Sequence, residues 1–79
     1  MPHIAVKMFP GRTEKQKQEF AAKVVEAAKT VFGSSDASLS IAITEVKPAD
    51  WDADVYSPEI AANEDALYKR PGYGTLAKS

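Results

Sequence analysis

The chain has 79 residues, of which 44% are hydrophobic and 27% charged, with a formal net charge of −1 at pH 7 and no cysteine. We expect one domain spanning residues 1–79, with no nucleic acid, membrane or metal as a partner. Disulfides and cysteine-based zinc sites are excluded, so oligomerisation is the remaining way to stabilise so small a core. A cytoplasmic protein fits these features best.

Pro2 directly follows Met1 and directly precedes a strand-like run. Residues 2–9 alternate between apolar and polar positions, as in a half-buried strand. Removal of Met1 would leave the ring nitrogen of Pro2 as a free secondary amine. An N-terminal amine has a reference pKa of about 7.7 to 8.0, which burial or nearby cations lower, so it can be a neutral base near pH 7. Alternatively, Pro2 merely opens a strand, where its missing N–H costs nothing.

A long helix is predicted over about residues 13–32. Thr13 stands three residues before Gln16, which is the capping-box pattern, and Gly33 stands where a left-handed C-cap glycine belongs. Apolar residues follow the cap at helical spacing. They are Phe20, Val24, Ala28 and Val31.

Residues 39–46 are the predicted second strand, which ends before Pro48. A strand, a helix of about 20 residues and another strand make a βαβ unit, whose strands are parallel. Two strands do not form a stable sheet alone. The predicted fold class is therefore α/β (α+β), a β-α-β fold with a second short C-terminal helix and a sheet completed across a homodimer.

The second helix is predicted from a cap at Ser57 and a proline at the first helical position, Pro58, to about Arg70. In this interpretation Lys69 and Arg70 lie in the last helical turn, where cations suit the helix dipole. From a neighbouring subunit, the same two cations would instead steer an anionic substrate. Residues 73–79 are expected to be loose or bound to a partner.

Seven segments of the chain are weak motifs individually but specific in their order and spacing. They are Pro2-His3-Ile4, Phe9-Pro10-Gly11-Arg12, Thr13-Glu14-Lys15-Gln16-Lys17, Ser40-Ile41-Ala42-Ile43-Thr44-Glu45, Trp51, Pro58-Glu59-Ile60-Ala61 and Lys69-Arg70-Pro71-Gly72-Tyr73. Together they resemble the 4-oxalocrotonate tautomerase family over about residues 2–73. The resemblance is greatest to its small dimeric bacterial branch, some of whose members are described as phenylpyruvate tautomerases.

The resemblance implies a tautomerase without cofactor or metal, acting on a small 2-oxo acid, with Pro2 as general base and acid after removal of Met1. Arg12 aligns with an arginine that contacts the substrate carboxylate, and Trp51 with an aromatic residue that lines the pocket. Ser40 stands where the parent enzymes have a second arginine. A neutral hydroxyl is a weaker oxyanion stabiliser, and this departure favours a monocarboxylate with an apolar tail.

Other interpretations of these residues stay open. Loss of the second arginine favours a non-catalytic dimeric binding module on the same fold. A deprotonated amine at Pro2 is also a nucleophile, as a hydratase, dehalogenase or aldolase-like reaction would need. Arg12 can instead be a solvated surface charge, Trp51 a core or interface residue, and His3 an exposed histidine in place of a proton shuttle.

Overall fold

The computed structural model describes residues 1–78, which fall into two compact units. The first unit is Met1–Glu45, and the second unit begins at Val46. In the first unit, β1 (His3–Met8) and β2 (Ser40–Glu45) form a two-stranded parallel sheet. The parallel pairing of the predicted βαβ unit is confirmed.

The helix α1 (Glu14–Phe32) connects the two strands, followed by a single 3-10 turn at Asp36–Ser38. Thr13 caps α1 as predicted: its side chain accepts the Gln16 N–H at 3.0 Å, and the Gln16 side chain accepts the Thr13 N–H at 3.0 Å. Gly33 ends the helix with a φ of 69°, in the left-handed region that glycine adopts without strain. Its N–H donates to the carbonyl of Lys29 at 3.0 Å.

One face of the sheet is half-buried, and the other is exposed. The alternation in β1 follows the predicted period of two residues. In α1, Ala28 is buried, with 8% of its surface exposed. The half-buried strand residues are Ile4, Val6, Met8, Ile41 and Ile43.

The second unit begins with a short helix, α2 (Pro48–Trp51), which continues as a π-helical segment at Asp52–Ile60. The predicted helix start at Ser57-Pro58 is therefore wrong. Pro48 occupies the beginning of α2, and Pro58 lies inside the π-helical segment. A proline has no N–H for a helical hydrogen bond, and its ring clashes with the carbonyl four residues back. The segment that contains Pro58 is accordingly π-helical and not regular α-helix.

The helical turns of the second unit end earlier than predicted. A 3-10 segment at Ala61–Ala66 is interrupted at Asn63, whose backbone is not helical. The Asn63 side-chain amide donates to the carbonyls of Pro58 at 3.3 Å and Glu59 at 3.2 Å, and so competes with backbone hydrogen bonding. Lys69 and Arg70 therefore lie beyond these helical turns, and the prediction of both as last-turn residues is wrong.

The C-terminal segment, which was predicted to be loose, packs over most of its length against Tyr56. Tyr56 is buried, with 5% of its surface exposed. The rings of Tyr56 and Tyr73 lie with their centroids 5.3 Å apart. The Leu76 N–H donates to the Tyr56 hydroxyl at 3.0 Å, and Leu76 itself lies in a 3-10 turn at Thr75–Lys78. The prediction of a loose tail is therefore wrong up to residue 78, and its last residue, Ser79, lies outside the described residues.

Candidate active site

Pro2 is half-buried immediately before β1 and lines a cleft of about 240 Å³ between the sheet and α1. Every residue that lines this cleft is apolar. Low polarity disfavours a charged amine, so these surroundings suit a proline nitrogen that must be uncharged to accept a proton. Met1 is fully exposed, so its removal takes away little packing. The residues around Pro2 are Ile4, Val24, Ala27, Ala28, Val31 and Phe32.

Ser40 lies at the same end of the sheet as Pro2. Its N–H donates to the carbonyl of Pro2 at 3.4 Å, and it stands opposite His3 in the strand register. The Ser40 hydroxyl oxygen is 2.7 Å from Nδ1 of His3, on the exposed face of the sheet. The Ser40 hydroxyl, which the resemblance implies as a substrate contact, is thus already hydrogen-bonded to His3. The sequence predicted His3 to be either an exposed histidine or a proton shuttle.

Arg12 lies after the other end of β1 and is exposed. It lines a second cleft of about 300 Å³, together with Val6, Met8, Gln16, Lys17, Phe20 and Ile43. Each strand residue advances the chain by about 3.3 Å, so β1 alone separates Arg12 from Pro2 by roughly 17 Å. The structure therefore does not bring Pro2 and Arg12 together within one chain.

Lys17 supplies a second positive charge to the cleft of Arg12, and its charge is partly balanced. Its Nζ lies 3.4 Å from a carboxylate oxygen of Glu14 and 3.4 Å from one of Glu45. Hydrogen bonds to Glu14 and then Glu45 raise the pKa of Lys17 above its ordinary value. Arg12 has no ion pair among the described residues, and so its guanidinium is the cation of this cleft that can take an anionic ligand.

Trp51, the predicted pocket residue, belongs to the second unit and is half-buried. Its indole N–H donates to the hydroxyl of Tyr73 at 2.9 Å. No local sequence pattern predicts this contact, because the two residues are 22 positions apart. The hydrogen bond fixes one edge of the indole and leaves its faces to pack against apolar groups.

Neither a cluster of metal ligands nor a membrane-spanning helix occurs among the described residues. Across residues 1–78, no three His, Cys, Asp or Glu side chains group closely enough to hold a metal ion. Within the same residues, no helix has the length and apolar character required to cross a membrane.

Comparison with known proteins shows which family has sequences similar to this chain. The model of a family described as "Tautomerase enzyme" matches residues 2–59. The chain is 46% identical over 74 residues to "Tautomerase PptA" of Pectobacterium carotovorum, covering 92% of this chain and 97% of that protein. It is 42% identical over 77 residues to a "Probable tautomerase" of Xylella fastidiosa, covering 98% of this chain and 94% of that protein.

Two solved structures of 4-oxalocrotonate tautomerase homologues have a similar fold. YwhB superimposes with a TM-score of 0.57 at 39% identity, covering 58% of this chain and 75% of YwhB. TomN, from tomaymycin biosynthesis, superimposes with a TM-score of 0.61 at 22% identity, covering 63% of this chain and 77% of TomN. The fold resemblance inferred from the seven motifs is therefore confirmed.

Proposed function

Since the chain belongs to the tautomerase family and is an isomerase, we propose that Pro2 is its proton carrier in the keto-enol tautomerisation of a small 2-oxo acid. The observation that carries this proposal is the position of Pro2, half-buried in a cleft lined by apolar side chains. The relatives named as tautomerases favour an enzyme over a non-catalytic binding module.

In the proposed reaction, the uncharged nitrogen of Pro2 accepts the proton of the enol hydroxyl. The resulting ammonium then gives a proton to the neighbouring carbon, and the keto acid is formed. General acid-base catalysis of this kind is efficient when the pKa of the group is near the working pH. The apolar cleft around Pro2 supports this because it disfavours the charged form of the amine.

The proposed substrate is a monocarboxylate with an aromatic or other apolar tail, such as the enol of phenylpyruvate. The apolar lining beside Pro2 suits such a tail, and a serine at position 40 offers no second cation for a dicarboxylate. The role of Trp51 as a pocket residue stays a prediction from the family resemblance. These assignments explain why one arginine, Arg12, suffices as the carboxylate anchor.

We further propose a homodimer in which Arg12 reaches the substrate from a second copy of the chain. Support comes from the length of β1, which separates Arg12 from Pro2 in one chain, and from apolar strand residues that stay half-buried. Arginine binds a carboxylate through two parallel hydrogen bonds, so it fixes orientation as well as charge. A single domain over residues 1–79 and a cytoplasmic location stay predictions of the sequence.

The test compares wild type, Pro2→Ala and Pro10→Ala in an assay of phenylpyruvate enol absorbance. The mature N-terminal mass is measured on each sample, because the proposal requires that Met1 be removed. Pro2→Ala should lower kcat/KM by about 100-fold or more, the usual contribution of a general acid-base group. Pro10 is an exposed turn residue and serves as the matched control, whose replacement should leave kcat/KM unchanged.

Equal rates for wild type and Pro2→Ala would contradict the role of Pro2, as would full activity in a sample that retains Met1. In wild type, kcat/KM should rise with pH as the Pro2 amine loses its proton, because only the uncharged amine is a base. The alternative in which the amine attacks a carbonyl predicts that borohydride traps the substrate on Pro2. The proposed proton transfer predicts no such adduct.

A further inference from the structure

We propose that His3 is a positioning residue for the tautomerase reaction, because it sets the direction of the Ser40 hydroxyl. In this proposal His3 donates a hydrogen bond from Nδ1 to Ser40, and Ser40 in turn donates its hydroxyl hydrogen to the enolate oxygen of the substrate. The inference rests on the proposed function and on the family resemblance, which places Ser40 where the parent enzymes have an arginine.

The geometry of the His3–Ser40 pair supports this arrangement. The distance of 2.7 Å between Nδ1 and the hydroxyl oxygen is that of a close hydrogen bond. The two residues are direct register partners, so the parallel sheet itself holds their side chains on one face. The N–H of Ser40 donates to the carbonyl of Pro2, which places the pair at the same end of the sheet as the proposed base. The pair lies on the exposed face and the Pro2 cleft on the half-buried face, so a shared substrate lies across this end of the sheet.

Within the sheet, the residues next to this pair on the same face are apolar. The next register pair with the same orientation is Ala5 and Ala42, and Lys7 and Thr44 follow beyond it. Both His3 and Ser40 are exposed, so a ligand can reach the Ser40 hydroxyl.

The direction of the hydrogen bond decides what Ser40 can do. A hydroxyl has one hydrogen, and a neutral imidazole has one nitrogen that donates and one that accepts. If Nδ1 accepts, the Ser40 hydrogen points at His3, and Ser40 presents only lone pairs to a substrate. If Nδ1 carries a hydrogen and donates, the Ser40 hydrogen is released for an oxyanion. Only the second arrangement stabilises an enolate.

The resulting chain of two hydrogen bonds also explains how the enolate is stabilised without a second arginine. Consecutive hydrogen bonds polarise one another, so a hydroxyl that accepts from imidazole is a better donor than a hydroxyl alone. Negative charge that develops on the enolate oxygen favours this direction in both bonds. No covalent bond forms in the pair, and the proton moved in the reaction stays with Pro2.

The first test uses NMR, because the chain has one histidine and its ring signals are therefore unambiguous. The ¹⁵N shifts of the imidazole are recorded for full-length wild type, free and saturated with phenylpyruvate. With phenylpyruvate bound, Nδ1 should carry a hydrogen and show the shift of a donor nitrogen. A bare, accepting Nδ1 in the bound state would overturn the proposal even if every variant failed to fold.

The second test is kinetic and uses His3→Asn, His3→Leu, Ser40→Ala and the double variant His3→Leu/Ser40→Ala. The amide nitrogen of asparagine can replace Nδ1 as a donor, whereas leucine cannot. His3→Leu should lower kcat by about 5- to 10-fold, as expected for one hydrogen bond, and change KM little. His3→Asn should retain most of the activity, and the double variant should be no slower than Ser40→Ala.

The matched control is Thr44→Val, which changes an exposed hydroxyl on the same face of β2 and should leave kcat unchanged. Equal losses in His3→Asn and His3→Leu, or a further loss when His3→Leu is added to Ser40→Ala, would refute the positioning role. Failure of the proposed function appears differently, as an active Pro2→Ala. An inactive Pro2→Ala together with a fully active His3→Leu would overturn only the role of His3.

Discussion

The two units of the chain are stabilised by different kinds of interaction. In the first unit, backbone hydrogen bonds of the strand pair and α1 dominate, and Ala28 is the buried hydrophobic residue among those described. In the second unit, Val55 and Tyr56 are buried, and the Tyr56 hydroxyl forms hydrogen bonds with three residues of the C-terminal segment. The first unit therefore has regular secondary structure but few buried side chains. The second unit has irregular helical turns packed around a few buried side chains.

The difference bears on the homodimer proposed above. Burial of apolar surface is the main favourable term in folding, and the first unit leaves its apolar strand residues half-buried. Regular backbone structure alone does not compensate for this. The same unit holds Pro2 and Arg12, so the apolar residues that the proposed homodimer would cover lie in the unit of the proposed active site.

The largest expected effect tests the packing of the second unit at Gly74. Gly74 has a φ of +72°, and a Cβ there would overlap the ring of Tyr56 at Cζ and the hydroxyl. Both backbone strain and overlap oppose a side chain, so Gly74→Ala should lower the free energy of unfolding by about 2 to 4 kcal/mol. Urea unfolding at a fixed protein concentration measures the change.

Gly72→Ala is the control for this substitution, because a Cβ at Gly72 meets nothing within 4 Å. Its free energy of unfolding should stay within about 0.5 kcal/mol of wild type. Equal stabilities for the two variants would show that the C-terminal segment does not pack against Tyr56 in solution.

The next effect concerns the hydroxyl of Tyr56 alone. Tyr56→Phe keeps the ring but removes the acceptor of the Leu76 N–H and the donor to the Tyr73 carbonyl. We expect a loss of about 1 to 2 kcal/mol in the free energy of unfolding, measured as above. Tyr68→Phe removes an exposed hydroxyl and should change it by less than about 0.5 kcal/mol. A Tyr56→Phe variant as stable as wild type would make ring packing the main contribution of Tyr56.

A somewhat smaller effect tests the backbone-based stability of the first unit. Thr13→Ala removes both the side-chain acceptor for the Gln16 N–H and the capping box. The expected loss is about 1 kcal/mol, read from the urea midpoint. Thr30→Ala, at an exposed position of the same helix, should be neutral or slightly stabilising because alanine has the higher helix propensity. Equal changes in the free energy of unfolding for Thr13→Ala and Thr30→Ala would contradict the capping role of Thr13.

The smallest effect tests the ion pairs of Lys17. Because the pKa of Lys17 is raised in the folded chain, the folded state binds this proton more tightly than the unfolded state. Its contribution is fully present below the unfolded pKa and is lost as the pH rises through the folded pKa. The difference in Tm between wild type and Lys17→Met should therefore shrink as the pH rises above 10.5, the ordinary value for lysine.

Lys23→Met changes an exposed lysine of the same helix and provides the comparison. Its difference in Tm from wild type is the baseline against which the pH dependence for Lys17→Met is read. The same pH dependence for both variants would mean that the carboxylates of Glu14 and Glu45 do not raise the pKa of Lys17.

Local sequence rules predicted the first unit well because its elements are determined locally. The capping pair at Thr13 and the glycine at position 33 define both ends of α1, and alternation identifies β1. In the second unit, Pro48 and Pro58 both carry the signal of a helix start, and only the structure shows that the second lies inside a π-helical segment. Docking of the tail on Tyr56 is a long-range contact without a local pattern.

The candidate site was predictable to a different extent at each residue. The position of Pro2 follows directly from the sequence. The His3–Ser40 contact depends on the exact strand register, which a two-residue shift would abolish. Arg12 was associated with Pro2 by resemblance, although the length of the intervening strand already separates the two in one chain.

The hydrogen bond between Trp51 and Tyr73 gives the protein a built-in optical reporter. The chain has one tryptophan, and its indole N–H is bonded to the C-terminal segment. Release of that segment would expose the indole N–H to water and red-shift the fluorescence emission. Emission spectra can therefore follow docking of the tail separately from turnover, without attaching any dye.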